Sequence, residues 1–206
     1  MPEIQAVVLD YGEVLCRAPH PEEWGVMAGW LGMESAEFLR RYAAVRLPYD
    51  QGVVEPEEYW RQVAGPERQM VNGNLERLRR MDVEIYSRLD PVMVGWIPKL
   101  RAAGYRVGLL SNMPHDMAAY ARAEFRWLGE LDGCVLSCEH RLVKPMPEIY
   151  RLTCEQMGVA PEETLFVDDR AVNVEAAEAG GLQAVQFQTV EQLRAESARL
   201  GLRTRP

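Results

Sequence analysis

Five short apolar runs recur along the chain, at residues 6–9, 106–110, 134–136, 164–167 and 183–187. Asp10, Ser111, Ser137 and Asp168 follow the first four directly. Compact apolar runs of this length are the pattern of strands buried on both faces. Between the runs lie stretches of helical period, among them 91–103, 116–124, 147–157 and 172–179. Strands alternating with helices predict an α/β fold with a Rossmann-like parallel sheet, whose ligands gather at the carboxyl ends of the strands.

Residues 17–88 break the alternation. They read as helices only, at 22–31, 35–45, 56–64 and 74–88, punctuated by Pro48, Gly52, Gly65-Pro66 and Gly73. The stretch enters after the first strand and leaves before the second, so it is an inserted helical unit. The core is then residues 1–16 and 89–206, with 17–88 as the insertion. Aromatics concentrate in it: Trp24, Trp30, Phe38, Tyr42, Tyr49, Tyr59, Trp60 and Tyr86. They suit an apolar core of the insertion's own, with one or two facing a ligand as the alternative.

Composition narrows the partners. With 206 residues, 48% of them hydrophobic, the chain is globular and fits one domain with a sizeable insertion. Acids outnumber bases 31 to 23, for a net charge of −8, which disfavours nucleic acid and anionic membranes as partners. The insertion holds 10 bases and 12 acids, so most of the excess lies in the core. Cys16, Cys134, Cys138 and Cys154 form no C-x-x-C pair, which argues against structural zinc. No run of signal-peptide or membrane-span character occurs, and the expected location is cytoplasmic. No feature separates a monomer from a dimer.

Asp10, Ser111-Asn112, Lys144-Pro145 and Asp168-Asp169 stand at strand ends or in the loops beside them. Taken singly each has an ordinary explanation: a turn aspartate, a capping serine, a solvated lysine, an acidic helix start. Lys144 has a further mark. Of 23 basic residues only Lys99 and Lys144 are lysines, so a compact ammonium is retained there in a chain that otherwise uses arginine. Lys99, on an ordinary helix, weakens that inference. His115 lies just after the Ser111-Asn112 turn, where a helix-start histidine is more often structural; His20 and His140 have less claim to a site.

In combination the segments Val-Val-Leu-Asp10-Tyr-Gly-Glu-Val-Leu, Leu-Leu-Ser111-Asn112, Val-Lys144-Pro-Met-Pro-Glu-Ile-Tyr and Leu-Phe-Val-Asp168-Asp169 resemble, in order, the four motifs of the haloacid dehalogenase (HAD) superfamily. The insertion looks like that superfamily's small helical cap. Within it, the chain is most similar to the α-glucose-1-phosphatase type of sugar-phosphate phosphatase. The resemblance implies a phosphohydrolase working through an aspartyl-phosphate on a small phosphorylated metabolite. It implies Asp10 as nucleophile and Mg²⁺ held by Asp10, the Gly12 carbonyl and Asp169, with Asp168 as an outer partner or alternative ligand. Ser111 and the backbone at Asn112 would hold phosphoryl oxygens, and Lys144 would balance charge. The chemistry is consistent with this, because a carboxylate attacking an anionic phosphate needs a cation beside it.

Gly12 departs from the pattern. Most phosphatases of the superfamily have a second aspartate at that position to protonate the leaving group, a function typically worth ~10²- to 10⁴-fold in rate. The neighbouring Glu13, a residue of the insertion, or a substrate-bound water are the substitutes. Two other functions stay open: a metal-independent 2-haloacid dehalogenase, and a phosphometabolite-binding or regulatory protein with weakened turnover. The Asp168-Asp169 pair argues against the first, since without a metal it would set unbalanced charge beside the nucleophile.

Overall fold

The computed structural model describes residues 3–68 and 73–206; residues 1 and 2, where the chain starts, and 69–72 within the insertion lie outside the described residues. Strand β1 (Ala6–Leu9) leads into five helices: α1 (Pro21–Trp30), α2 (Ser35–Ala44), α3 (Arg46–Asp50), α4 (Pro56–Ala64) and α5 (Asn74–Ile85). Then come α6 (Pro91–Val94), α7 (Trp96–Ala102), β2 (Arg106–Ser111), α8 (His115–Glu124), β3 (Gly133–Leu136), α9 (Ser137–His140) and α10 (Pro147–Met157). The chain closes with β4 (Thr164–Asp168), α11 (Ala171–Ala179), β5 (Gln183–Gln186) and α12 (Val190–Arg199). The strands form one parallel sheet in the order β3-β2-β1-β4-β5. The α/β class and the helical insert expected from the pattern are what the structure has.

Alternate residues of the central strands supply two cores. Val7, Leu9, Val107, Leu109, Leu165 and Val167 face one layer, with Met93, Trp96, Ile97 and Leu100 packed upon it. Ala6, Val8, Leu110 and Phe166 face the other, against Ile149, Tyr150 and Met157 of α10 and Ala177 of α11. Burial on both faces is why these runs are apolar throughout. Chain direction also fixes the site. The order steps from β1 outward to β3 and then back across β1 to β4, so the carboxyl ends of β2, β1 and β4 lie side by side at the switch point.

Several boundaries differ from the sequence expectation, among them the end of α5, at Ile85 where the pattern runs to 88. The helix expected over 91–103 is broken at Gly95 into α6 and α7. Pro98 has no N–H for the Val94 carbonyl, and its ring would crowd that carbonyl in a continuous helix. A short helix, α3, also forms around Pro48, where the sequence reads as punctuation; Pro48 falls in its first turn, where a missing N–H is tolerated.

The insertion has its own core of Met27, Phe38, Tyr42, Tyr59, Trp60, Leu78 and Ile85. Its entering and leaving strands are paired, with Arg17 N–H donating to the Arg88 carbonyl and Asp90 N–H to the Leu15 carbonyl, both at 2.8 Å. The far side docks on the sheet domain. Ser137 Oγ donates to the Asp50 carbonyl (2.5 Å), Gln51 Nε2 to the Arg141 carbonyl (2.9 Å), and Arg79 makes a two-pronged bond to Asp116 (2.8 and 2.7 Å). Gly52 makes the closest approach. A Cβ there would lie 2.7 Å from the Cys138 carbonyl oxygen and 2.8 Å from His115 Nε2, and its φ is +72°. His115 is thus part of the docking face, as a structural residue. Gly52→Ala is expected to destabilise the protein by about 1–3 kcal/mol, since it meets both the close contact and the positive φ. Urea denaturation of the variant checks this, and Gly201→Ala, with φ +76° but open space around it, separates the backbone part from the contact.

Candidate active site

Asp10 follows β1 at the middle of the sheet, and 5% of its surface is exposed. Its Oδ1 lies 2.6 Å from the Lys144 ammonium. Lys144 Nζ also lies 2.6 Å from Asp168 Oδ2 and donates to the Leu110 carbonyl at 3.2 Å. Two hydrogen bonds and an ion pair therefore hold the ammonium, and the Phe166 ring lies 5.5 Å beneath. Burial disfavours the lysine's charge, yet Asp10 and Asp168 outweigh it and hold the pKa above its ordinary value. Burial pushes the Asp10 carboxyl up to about 7; Lys144 opposes that, while Asp168 and Asp169 add to it.

The loop that delivers Lys144 is fixed by Asn112. The Asn112 Oδ1 accepts from the Lys144 backbone N–H (2.8 Å) and its Nδ2 donates to the Lys144 carbonyl (2.9 Å), beside a cis Lys144–Pro145 peptide. The Asn112 side chain is thus occupied, leaving its backbone for any ligand. The next N–H along, of Met113, donates to Ser137 Oγ at 2.9 Å. Ser111 ends β2, buried, on the cavity wall. Among the described residues its hydroxyl has no hydrogen-bond partner.

Asp168 is fully engaged. Besides Lys144 it accepts from the Arg170 backbone N–H (2.9 Å) and from Asn173 Nδ2 (3.0 and 3.1 Å). Asp169 is different. It is half-buried, lines the cavity, and burial together with Asp168 and Glu13 raises its carboxyl to about 6. Oxygens of Asp10, Asp168 and Asp169 lie within 4.8 Å of one another, so this triad could hold a metal ion. Gly12 lines the same cavity, and a Cβ there would meet only Asp10 Oδ2, at an ordinary 3.9 Å.

The cavity has a volume of about 320 Å³, and its other wall comes from the insertion: Ala43, Arg46, Leu47, Asp50 and Tyr86. Arg46 is held hard. Its Nε donates to Asp50 Oδ1 (2.7 Å), its Nη1 to both Asp82 oxygens (2.9 and 3.0 Å) and to Tyr42, and its guanidinium lies 4.9 to 5.9 Å from the ring centres of Tyr42, Tyr49, Tyr59 and Tyr86. Most of the aromatics do fill the insertion's core, and Tyr86 also reaches the cavity.

All the sequence-derived site residues, Asp10, Gly12, Ser111, Asn112, Lys144, Asp168 and Asp169, come together, with Asp168 directly behind the cavity lining. Asn173, Arg46, Asp50 and Arg170 were missed. A signal existed for Asn173, which stands one helical turn after Asp169 and so on the face that returns to the strand end. For Arg46 and Asp50 there was none, because their place depends on how the insertion folds over the sheet.

A buried carboxylate beside an ammonium at the head of a parallel strand, facing a cavity, is an arrangement that nucleophilic catalysis by a side chain can use. The chain belongs to the haloacid dehalogenase-like hydrolases, whose family model matches residues 3–181. It is 31% identical over 122 residues to (S)-2-haloacid dehalogenase 1 of Pseudomonas sp. (strain CBS-3), covering 57% of this chain and 54% of the relative. It is 23% identical to the flavin mononucleotide hydrolase 1 of Arabidopsis thaliana over 97% of this chain and 79% of that one. A HAD family enzyme of Bacteroides thetaiotaomicron, solved with magnesium and inorganic phosphate, superposes with a TM-score of 0.72 at 22% identity, covering 90% of this chain and 94% of that one. The matched stretches span about half or less of the dehalogenases' length. Among the described residues no helix is long and apolar enough to cross a membrane.

Lys144→Met is expected to cost about 3–5 kcal/mol of stability in the metal-free protein, because it leaves Asp10 and Asp168 buried without their partner. Chemical denaturation in the presence of a chelator measures it, and Lys99→Met on exposed α7 surface is expected to lie within about 0.5 kcal/mol of the parent.

Proposed function

We propose that the chain is a magnesium-dependent phosphohydrolase acting on a small phosphorylated metabolite through an aspartyl-phosphate at Asp10. The observation that carries this reading is charge. Three aspartates share one ammonium, and burial, with the neighbouring carboxylates adding to it, raises the carboxyls of Asp10 and Asp169. A divalent cation is the group that balances such a surplus, and an all-oxygen donor set suits magnesium. Asp10, Asp169 and the Gly12 carbonyl would hold the ion, while Asp168 is committed to Lys144, Asn173 and the Arg170 N–H. When bound, the ion offsets charge on the phosphoryl group.

The remaining roles belong to the chain's own residues. The Asp10 carboxylate attacks phosphorus, Lys144 balances the charge on nucleophile and phosphoryl group, and Ser111 with the Asn112 backbone N–H orients the phosphoryl oxygens. Residues 17–88 act as the cap over the cavity and set the substrate. A sugar phosphate, as in the α-glucose-1-phosphatase type, fits a cavity walled by tyrosine, arginine and carboxylate groups. The magnesium and phosphate in the Bacteroides thetaiotaomicron relative support the reading.

The dehalogenase relatives favour a second reading, attack of Asp10 on the carbon of a 2-haloacid without metal. Against it stands Asp169, an additional carboxylate at the cavity that metal-free chemistry leaves unbalanced. The two readings separate in one assay. Turnover of phosphate esters that needs magnesium and disappears in Asp10→Asn, with the fold retained by circular dichroism, is expected. Chloroacid turnover that survives a chelator would overturn the phosphatase assignment.

Protons and metal compete for Asp10 and Asp169. Both carboxyls are raised above their ordinary 3.8, so in the metal-free protein their contribution to stability is full below that value and is lost as pH rises through about 6 and 7. Magnesium acts in the opposite sense, since it binds the deprotonated groups. Its effect on Tm is therefore expected to be large at about pH 8 and to shrink toward about pH 5.5. Thermal melts with magnesium and with chelator check this, and a shift independent of pH would remove these carboxylates from the metal site.

A further inference from the structure

The proposed phosphohydrolase lacks an acid at Gly12, and we infer that the insertion supplies it: Asp50 protonates the leaving oxygen and then activates the water. This inference rests on the phosphohydrolase reading. Asp50 is the carboxylate that the insertion contributes to the cavity lined by Asp10, Ser111, Lys144 and Asp169. Its position is fixed from two sides. Arg46 Nε holds Oδ1 at 2.7 Å, and Ser137 Oγ, beside the end of β3, donates to the Asp50 carbonyl at 2.5 Å. Among the described residues Oδ2 has no hydrogen-bond partner, so one oxygen is anchored and the other is available. The side chain is 11% exposed, enough to meet a ligand in the cavity while shedding bulk water.

The surroundings suit an acid that must hold a proton near neutrality. Burial raises the carboxyl to about 6 against the pull of Arg46, with Asp82 of α5 raising it further and Arg170 of the β4–α11 loop lowering it. Glu13 also lines the cavity, but it is exposed and sits on the Asp169 side, where its charge raises the Asp169 carboxyl. Its backbone is held at φ +54°. The step balances as follows. As Asp10 Oδ bonds to phosphorus and the ester P–O bond breaks, the Asp50 proton passes to the departing oxygen, releasing the alcohol. The Asp50 carboxylate then takes a proton from the water that attacks the aspartyl-phosphate; as the water oxygen bonds to phosphorus the Asp10 O–P bond breaks, releasing inorganic phosphate and restoring the Asp10 carboxylate and protonated Asp50.

The test is a series of phosphate monoesters of graded leaving group, from p-nitrophenyl phosphate through phenyl phosphate to glycerol 1-phosphate, with magnesium. In Asp50→Asn, kcat/KM for the glycerol ester is expected to fall ~10²- to 10⁴-fold, whereas p-nitrophenyl phosphate, whose leaving group needs no proton, keeps its kcat/KM within about threefold. Its kcat is expected to fall, with a burst of p-nitrophenolate, because hydrolysis of the aspartyl-phosphate has lost its base. Gly12→Asp in the Asp50→Asn background is expected to restore turnover of the glycerol ester. Equal losses in kcat/KM across the series, or a larger loss in Glu13→Gln than in Asp50→Asn, would overturn the assignment. The unmodified enzyme gives a readout that needs no variant: a steep dependence of kcat/KM on leaving group would mean that no acid acts. Failure to turn over any ester would overturn the phosphohydrolase reading itself, and the inference with it.

Discussion

The contact on which the site depends is the Lys144 ammonium between Asp10 and Asp168, 2.6 Å from each and all but sealed from water. An ammonium and a carboxylate are each costly to bury alone, so each of the three stands only because the others are present. The neighbouring structure serves this arrangement. Asn112 clamps the backbone of Lys144, the Leu110 carbonyl accepts from its ammonium, and Asn173 and the Arg170 N–H saturate Asp168. These groups arrive from β1, β2, the loop before α10, and the β4–α11 turn, so register errors in the sheet would leave buried charge unmatched. One ammonium for two carboxylates is nevertheless incomplete compensation, and Asp169 adds a third. Under the proposed function, that surplus is what a bound cation would balance.

The insertion solves a parallel problem by different means. Arg46 is buried among Asp50, Asp82 and four tyrosine rings, a guanidinium whose flat surfaces meet aromatics while its edge donates to carboxylates. A lysine could not satisfy both demands. Arg46 in turn fixes Asp50, and the Asp50 backbone is fastened to Ser137 on the sheet domain. The polar network at the insertion's heart is therefore continuous with its docking face, and closing the cavity brings that wall to a defined position over Asp10.

What could be read from the sequence divides along physical lines. The strand runs and the carboxyl-end residues were legible because a doubly covered strand needs a continuous apolar run, and the polar residue that ends it stands at the site. Asp10, Ser111 and Asp168 are marked in this way. Lys144 was legible through the scarcity of lysine and the motif around it. Arg46 and Asp50 were not, because nothing local distinguishes them from the ten bases and twelve acids of the insertion. Their place at the cavity comes from a tertiary contact between two separately packed units. The break at Gly95 was recoverable from Pro98, since a missing donor and a crowded carbonyl are local facts.

The chain is similar to dehalogenases and to phosphate-ester hydrolases at once. Both proposed readings make Asp10 the nucleophile with Lys144 beside it, so this pair does not discriminate between them. The discriminating features are the charges around that pair. A haloacid brings one carboxylate and departs as a halide, so extra negative charge at the cavity hinders its approach. A phosphate monoester brings more charge and requires a cation, for which additional carboxylates are ligands instead of obstacles. On this reasoning Asp169, half-buried at the cavity and left free by its neighbours, carries more weight than overall identity in deciding between attack at phosphorus and attack at carbon.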